Sequence, residues 1–176
     1  MPEAPAAAAG EPAGAANAAL IGQFYAALGR RDAEAMLACY APEVRFSDPV
    51  FPDLDATGVA AMWRMLTSRG KDLRVVASQI TADADTGRAH WVATYTYSAT
   101  GRPVENRIDA AFAFRDGRIM RHQDRFDLYR WARQALGLQG ALLGWLPPVQ
   151  SAIRRQAAAS LAAWQAKNGP GRSSAP

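Results

Sequence analysis

The 176-residue chain has a single cysteine, Cys39, only two histidines, and no acidic residue after Asp127. One thiol excludes an intramolecular disulfide and a structural metal site built on thiolates, and it fits a reducing compartment. No run reaches the roughly 18 consecutive apolar residues expected of a membrane span, since even 134–148 is broken by Gly137, Gly140, Gly144 and the Pro147-Pro148 pair. The Ala/Pro-rich beginning lacks the basic and Leu/Val-rich regions of a secretory signal, so the expected location is the cytoplasm. Large core formers are also fewer than the 49% hydrophobic fraction suggests, because 39 of those residues are Ala, which buries little surface.

The net charge of +4 is a sum of two unlike parts. Residues 128–176 carry Arg130, Arg133, Arg154, Arg155, Lys167 and Arg172 without an acid, which is +6, whereas residues 1–127 hold 14 basic and 16 acidic side chains, which is −2. Six sparse cations with no recognition motif between them argue against nucleic acid as a partner. Together with Trp131, Trp145, Trp164 and the apolar 138–146 segment, they admit contact with an acidic membrane surface, but packing over the body or a second subunit is the favoured use.

Periodicity organises the rest. Asn17 is a plausible N-cap for a helix striped by Leu20, Ile21, Phe24, Tyr25 and Leu28, and Asp32 caps a second helix running to Tyr40 before Pro42. Val44, Phe46 and Asp48 alternate as a short strand closed by Pro49, and a helix over 58–68 presents Val59, Met62, Trp63 and Leu66. From Leu73 to Leu128, turn signals at 83–87, 100–103 and 115–117 divide one short strand and three long ones joined by hairpins. Two amphipathic stretches follow, 128–136 and 149–164, separated by a turn-rich apolar segment. Helices followed by a meander predict an α+β fold. The expected organisation is a disordered leader over 1–16, a domain over 17–128, a helical extension over 129–167 and a frayed tail over 168–176.

Strand side chains alternate faces, so the hairpin at Arg115-Asp116-Gly117 sorts residues by parity. Even positions from Val104 to Leu128 are apolar except Asn106, His122 and Asp124, while odd positions such as Glu105, Arg107, Asp109, Arg121 and Arg125 form a charge-alternating surface. With residue 114 opposite 118, Asp124 falls opposite Ile108 and His122 opposite Ala110. A carboxylate and an imidazole on one apolar wall make either a neutral-pH acid/base pair or a satisfied structural hydrogen bond. Asp48 shares the inward parity of Val44 and Phe46, and it is open between a site residue and the Asx-turn that Asp favours before a loop. Parity gives Arg107 and Asp109 to an outer ion-pair ladder and argues against His90 as a site residue.

The element order, the Asp32 to Asp48 spacing and the segment His122-Gln-Asp124-Arg-Phe-Asp127 resemble the NTF2-like superfamily, specifically SnoaL-like proteins, over about residues 17–130. The resemblance implies a cone-shaped barrel, a curved and mainly antiparallel sheet wrapped around N-terminal helices, with a pocket at the open end and dimerisation through the outer sheet face. Asp48 stands where ketosteroid isomerase-like members carry their proton-shuttling Asp, and Asp124 where polyketide cyclase-like members carry an acid/base Asp. The arginine and aspartate of the R-x-D in limonene epoxide hydrolase-like members are replaced by Trp91 and Ala93. The expected chemistry is isomerisation, cyclisation or lyase action on a small apolar carbonyl ligand, with Asp48, His122 and Asp124 catalytic, and Tyr25, Trp63, Asn106, Phe112 and Phe126 against the ligand. No metal or cofactor is expected. The alternative is a noncatalytic binding or dimeric interaction module whose cone is filled by its own side chains.

Overall fold

A computed structural model describes residues 10–169, with side chains from Ala13 onward. Helix α1 (Gly10–Gly29) begins seven residues before Asn17, because the Ala-rich run has high helix propensity and tolerates Pro12 in its first turn. Residues 10–16 are therefore helix rather than leader, while residues 1–9 lie outside the described part. Asn17 is not a cap. It is buried, and its amide donates to the carbonyls of Asp83 at 2.9 Å and Ala84 at 3.1 Å, which ties α1 to the turn between the next two sheet strands.

Asp32 caps α2 (Ala33–Leu37) as expected, accepting from the Ala35 amide, but this helix stops before Tyr40. Tyr40 instead opens strand β1 (Tyr40–Ser47), an edge strand in which Pro42 is tolerated. Asp55 caps α3 (Ala56–Arg69), which buries Val59, Met62, Trp63 and Met65. Strands β2 (Arg74–Ala82), β3 (Thr86–Tyr97), β4 (Arg102–Arg115) and β5 (Arg118–Arg125) complete an open, curled five-stranded sheet in the order β1-β5-β4-β3-β2. Only β1 and β5 run parallel; the other neighbours are antiparallel. Helices α1 and α3 cover its concave face, and the main core lies between, built from Ile21, Phe24, Leu28, Met36, Phe46, Met62, Trp63, Phe112 and Ile119.

The β4–β5 hairpin departs from the expected register in a way that decides the site. Asp116 and Gly117 both have positive φ, 51° and 70°, the requirement of a two-residue turn, so Arg115 pairs with Arg118 and Phe114 with Ile119. Continued regularly, this would turn Arg121 and Gln123 inward beside Phe112 and Ala110. A bulge at Met120 adds one residue to β5, so His122 stands opposite Phe112 and Asp124 opposite Ala110. The inward parity read from the sequence holds, and the partners shift by two residues.

The extension folds as α4 (Leu128–Ala135), α5 (Leu138–Leu143) and α6 (Pro147–Asn168), so the segment expected to be apolar and turn-rich contains a short helix. Asp127 caps α4 through the Arg130 amide. Trp131 and Leu128 form a second small core with Val104, while Leu161, Ala157 and Trp164 of α6 pack on the main one. No helix among the described residues is long and apolar enough to cross a membrane.

Candidate active site

A chain of buried polar atoms crosses the concave face beneath the helices. The Trp63 indole N–H donates to the Tyr40 hydroxyl at 3.1 Å, and that hydroxyl lies 2.7 Å from His122 Nδ1. His122 Nε2 lies 3.0 Å from Asp124 Oδ1, which also accepts from the Trp91 indole at 3.4 Å. Indole nitrogens only donate, so the two ends set the direction of the chain. In the neutral tautomer with its proton on Nε2, Tyr40 donates to Nδ1 and the ring donates to Asp124 Oδ1, and every link is then satisfied.

The imidazole is boxed by aromatic rings, with Phe112 at 4.5 Å, Phe46 at 5.1 Å and Phe24 at 5.3 Å between centroids. Trp63 stacks beside it at 6.3 Å. His122 is 0% exposed and Asp124 4%. Burial pushes the Tyr40 phenol well above its ordinary value, with the nearby Asp124 charge adding to the effect.

Tyr25, from α1, completes the group. Its hydroxyl is the one buried side-chain polar atom without a hydrogen-bond partner among the described residues. Burial raises its phenol pKa, and the Asp124 charge is the next contribution, which sets Tyr25 within electrostatic reach of that carboxylate. Its ring packs 5.4 Å from Trp91 and 6.4 Å from Phe112. An orphaned buried hydroxyl costs about 1–3 kcal/mol, so its persistence calls for an explanation.

Asp48 forms the Asx-turn, one of the two readings left open by the sequence. Its Oδ1 accepts from the amides of Val50 at 2.7 Å and Phe51 at 2.5 Å, an Asx-turn. It is also near the buried pair: β1 and β5 run in register through Phe46 with His122 and Ser47 with Gln123, and the same offset carried one residue further sets Asp48 beside Asp124. Burial raises its pKa to about 6, the two amides oppose the rise, the Asp124 charge adds to it and His122 subtracts. Unlike the buried pair, Asp48 is only half-buried.

The structure thus gathers Asp48, His122, Asp124, Tyr25, Trp63 and Phe112. Asn106 is not among them: it lies four residues along β4 from Ala110, about 13 Å from the level of Asp124, because that is what four residues of strand span. Phe126 lies between the two cores. Trp63 and Phe112, expected against a ligand, touch the imidazole itself. Tyr40 and Trp91 join the cluster without being among the expected site residues: helical spacing from Met36 gives Tyr40 to the preceding helix, and Trp91 is the one indole inside the alternating β3 stretch, a donor-only side chain that needs a buried acceptor.

Outside this cluster, His90 Nδ1 meets Asp109 Oδ1 at 2.8 Å on the outer face, and Arg107 pairs with Glu105, as the parity predicts. A surface groove of about 500 Å³ lies between α6 and the loop after β1, lined by Arg45, Asp53, Leu54 and Leu161 among others, and contains none of the clustered residues.

The model of the SnoaL-like domain matches residues 21–122, more than half of the chain. No match was found among curated proteins. Among solved structures, a candidate polyketide cyclase from Xanthomonas campestris is 22% identical, with a TM-score of 0.57 over 70% of this chain and 98% of its own. An LEH-like epoxide hydrolase from M. tuberculosis is 18% identical, with a TM-score of 0.57 over 76% of this chain and 98% of its own. A protein with a ketosteroid isomerase-like fold from Catenulispora acidiphila, in complex with trimethylamine, is 15% identical, with a TM-score of 0.61 over 73% and 97%. At these identities the likeness is one of fold, and a shared fold does not fix a chemistry. With the family match running from α1 through the strands to His122, the chain belongs to the SnoaL-like family.

Proposed function

We propose that the protein is an acid/base catalyst acting on a small apolar ligand with a carbonyl group, by isomerisation or cyclisation through an enol. The observation that carries this is the buried, unpartnered Tyr25 hydroxyl, which lies within electrostatic reach of the Asp124 carboxylate. A donor kept dry and unpartnered suits an oxygen whose charge grows during reaction. In this reading a carboxylate takes the proton from the carbon next to the carbonyl, the electron pair moves to the carbonyl oxygen, and the Tyr25 O–H stabilises the enolate. The resulting carboxylic acid returns the proton at the same or another carbon.

Asp48 is the group suited to take that proton. It reaches solvent, and a pKa of about 6 leaves it ionised at neutral pH yet more basic than an ordinary carboxylate. His122 and Trp91 hold Asp124 in place, and the Tyr40–Trp63 link holds His122. The test is exchange of the acidic protons of 2-tetralone in D2O, followed by proton NMR. Wild type should accelerate exchange over buffer, and Asp48→Asn and Asp124→Asn should each lose about 10²-fold or more. Exchange at the wild-type rate in both variants would overturn the reading.

A second reading, a noncatalytic small-molecule binder, is supported by the complete burial of His122 and the aromatic filling around it. Saturable binding of 2-tetralone without accelerated exchange would favour it.

A further inference from the structure

Helix α5 turns its small residues inward and its large apolar ones outward, unlike α3, α4 and α6 among the described residues. Its glycines face inward: Gly140 is buried so closely on α4 that a Cβ there would lie 1.9 Å from the Ala132 carbonyl oxygen, and Gly144 is buried beside it. Leu138, Leu142 and Trp145 recur at the four- and three-residue spacing of one helical face. That face points away, leaving them 80%, 70% and 60% exposed, with Leu143 at 48%. The small residues make the contact and the large apolar ones are presented to solvent. Within α5 the packing is made by the glycines against α4, and the large apolar side chains are left out of it.

The surroundings carry charge of one sign. The Arg102 guanidinium lies against Gly137 at the start of α5, and Arg133 sits over the ring of Tyr129, whose hydroxyl donates to the Ala141 carbonyl within α5. From residue 128 to the end of the sequence there are six basic residues and no acid. Glu105, on the strand that α4 packs against, is engaged by Arg107 and Arg130. A second copy docking here through a two-fold axis would bring like charges together, which disfavours self-association through this face.

We propose that α5 and the turn after it form a peripheral docking surface for an anionic lipid bilayer, with Leu138, Leu142 and Trp145 entering the headgroup boundary and the flanking arginines meeting the lipid phosphates. Leucine and tryptophan beside basic residues suit that boundary, and electrostatic attraction and apolar burial act together there. The contact is reversible, and it is independent of the chemistry proposed for the buried cluster.

The experiment is co-sedimentation of the full chain with vesicles of phosphatidylcholine alone and of phosphatidylcholine with roughly one-third phosphatidylserine. Two engaged arginines should raise partitioning into the anionic vesicles by roughly 30-fold, and high salt should remove most of the gain. The Leu138→Ser/Leu142→Ser double variant should lose about tenfold or more with its thermal midpoint unchanged, because both side chains are exposed in the fold. Arg133→Gln should weaken binding to anionic vesicles and leave neutral ones unaffected. Equal sedimentation with both vesicle types, no sedimentation with either, or wild-type sedimentation of the double variant would overturn the proposal. So would a concentration-dependent oligomer that the double variant abolishes, since the face would then belong to a second copy.

Discussion

An Asp48→Asn substitution should stabilise the fold at neutral pH and leave its stability unchanged in acid. Burial holds the Asp48 carboxyl at about 6 instead of 3.8, so the folded protein keeps this proton where the unfolded chain has already released it. Below the unfolded pKa both states are protonated and the group contributes nothing. As pH rises from about 4 to about 6 the unfolded state gains, and stability falls; above 6 the penalty levels off. The full shift corresponds to about 3 kcal/mol, and the solvent-touching part of the side chain trims this to about 1–3 kcal/mol. Asparagine keeps the Oδ1 acceptor for the amides of Val50 and Phe51, so the turn survives and only the charge is removed. Urea unfolding of wild type and variant between pH 4 and 8 reads the difference, since titrating groups that do not interact with Asp48 cancel between them. The variant should match wild type near pH 4 and exceed it by about 1–3 kcal/mol at pH 7 and above, a rise in Tm of roughly 3–10 °C. A difference independent of pH, or one that grows toward acid, would refute the placement of Asp48 in a low-dielectric site beside Asp124.

Three further outcomes follow from single contacts. Tyr40→Phe leaves the Trp63 N–H and His122 Nδ1 without partners, and should cost about 2–4 kcal/mol in denaturant unfolding. Gly87→Ala places a Cβ 2.8 Å from Ile21 Cδ1 and 3.0 Å from the Phe114 ring, so it should destabilise the α1–sheet packing by about 1–3 kcal/mol, seen as a lower Tm. Gly140→Ala collides with the backbone of α4 and should release α5, which limited proteolysis would report as new cleavage within 137–146 while the sheet stays intact.

Much of this architecture was legible because it rests on local rules. Asp32 takes up its capping role, the turn signals at 83–87, 100–103 and 115–117 divide the strands where they occur, and parity puts His122 and Asp124 inward with Arg107 and Asp109 outward. What escaped was tertiary. The two-residue Asp116-Gly117 turn and the Met120 bulge together restore the parity that either alone would invert, and nothing in the residues between 115 and 122 announces the bulge. Tyr40 continues a helical spacing from Met36 yet pairs with Ile119 in the sheet, since a strand partner 79 positions away outweighs a weak local preference. Asn106 has the right parity at the wrong height, because alternation fixes a face and leaves the distance along the strand open. The acid-free extension was visible as charge, but which of its apolar residues stay in water depended on Gly140 fitting against Ala132.

The most direct measurement is a paired one on Tyr25→Phe. If the unpartnered hydroxyl exists to meet a ligand oxygen, removing it takes away a buried polar group that nothing in the fold satisfies. The variant should then be as stable as wild type or more stable, by up to about 1–3 kcal/mol in urea unfolding, while its rate of 2-tetralone proton exchange falls about 10²-fold. A variant that loses stability and keeps the wild-type exchange rate would contradict the role assigned to Tyr25, and with it the reading of the buried cluster as a site of proton transfer.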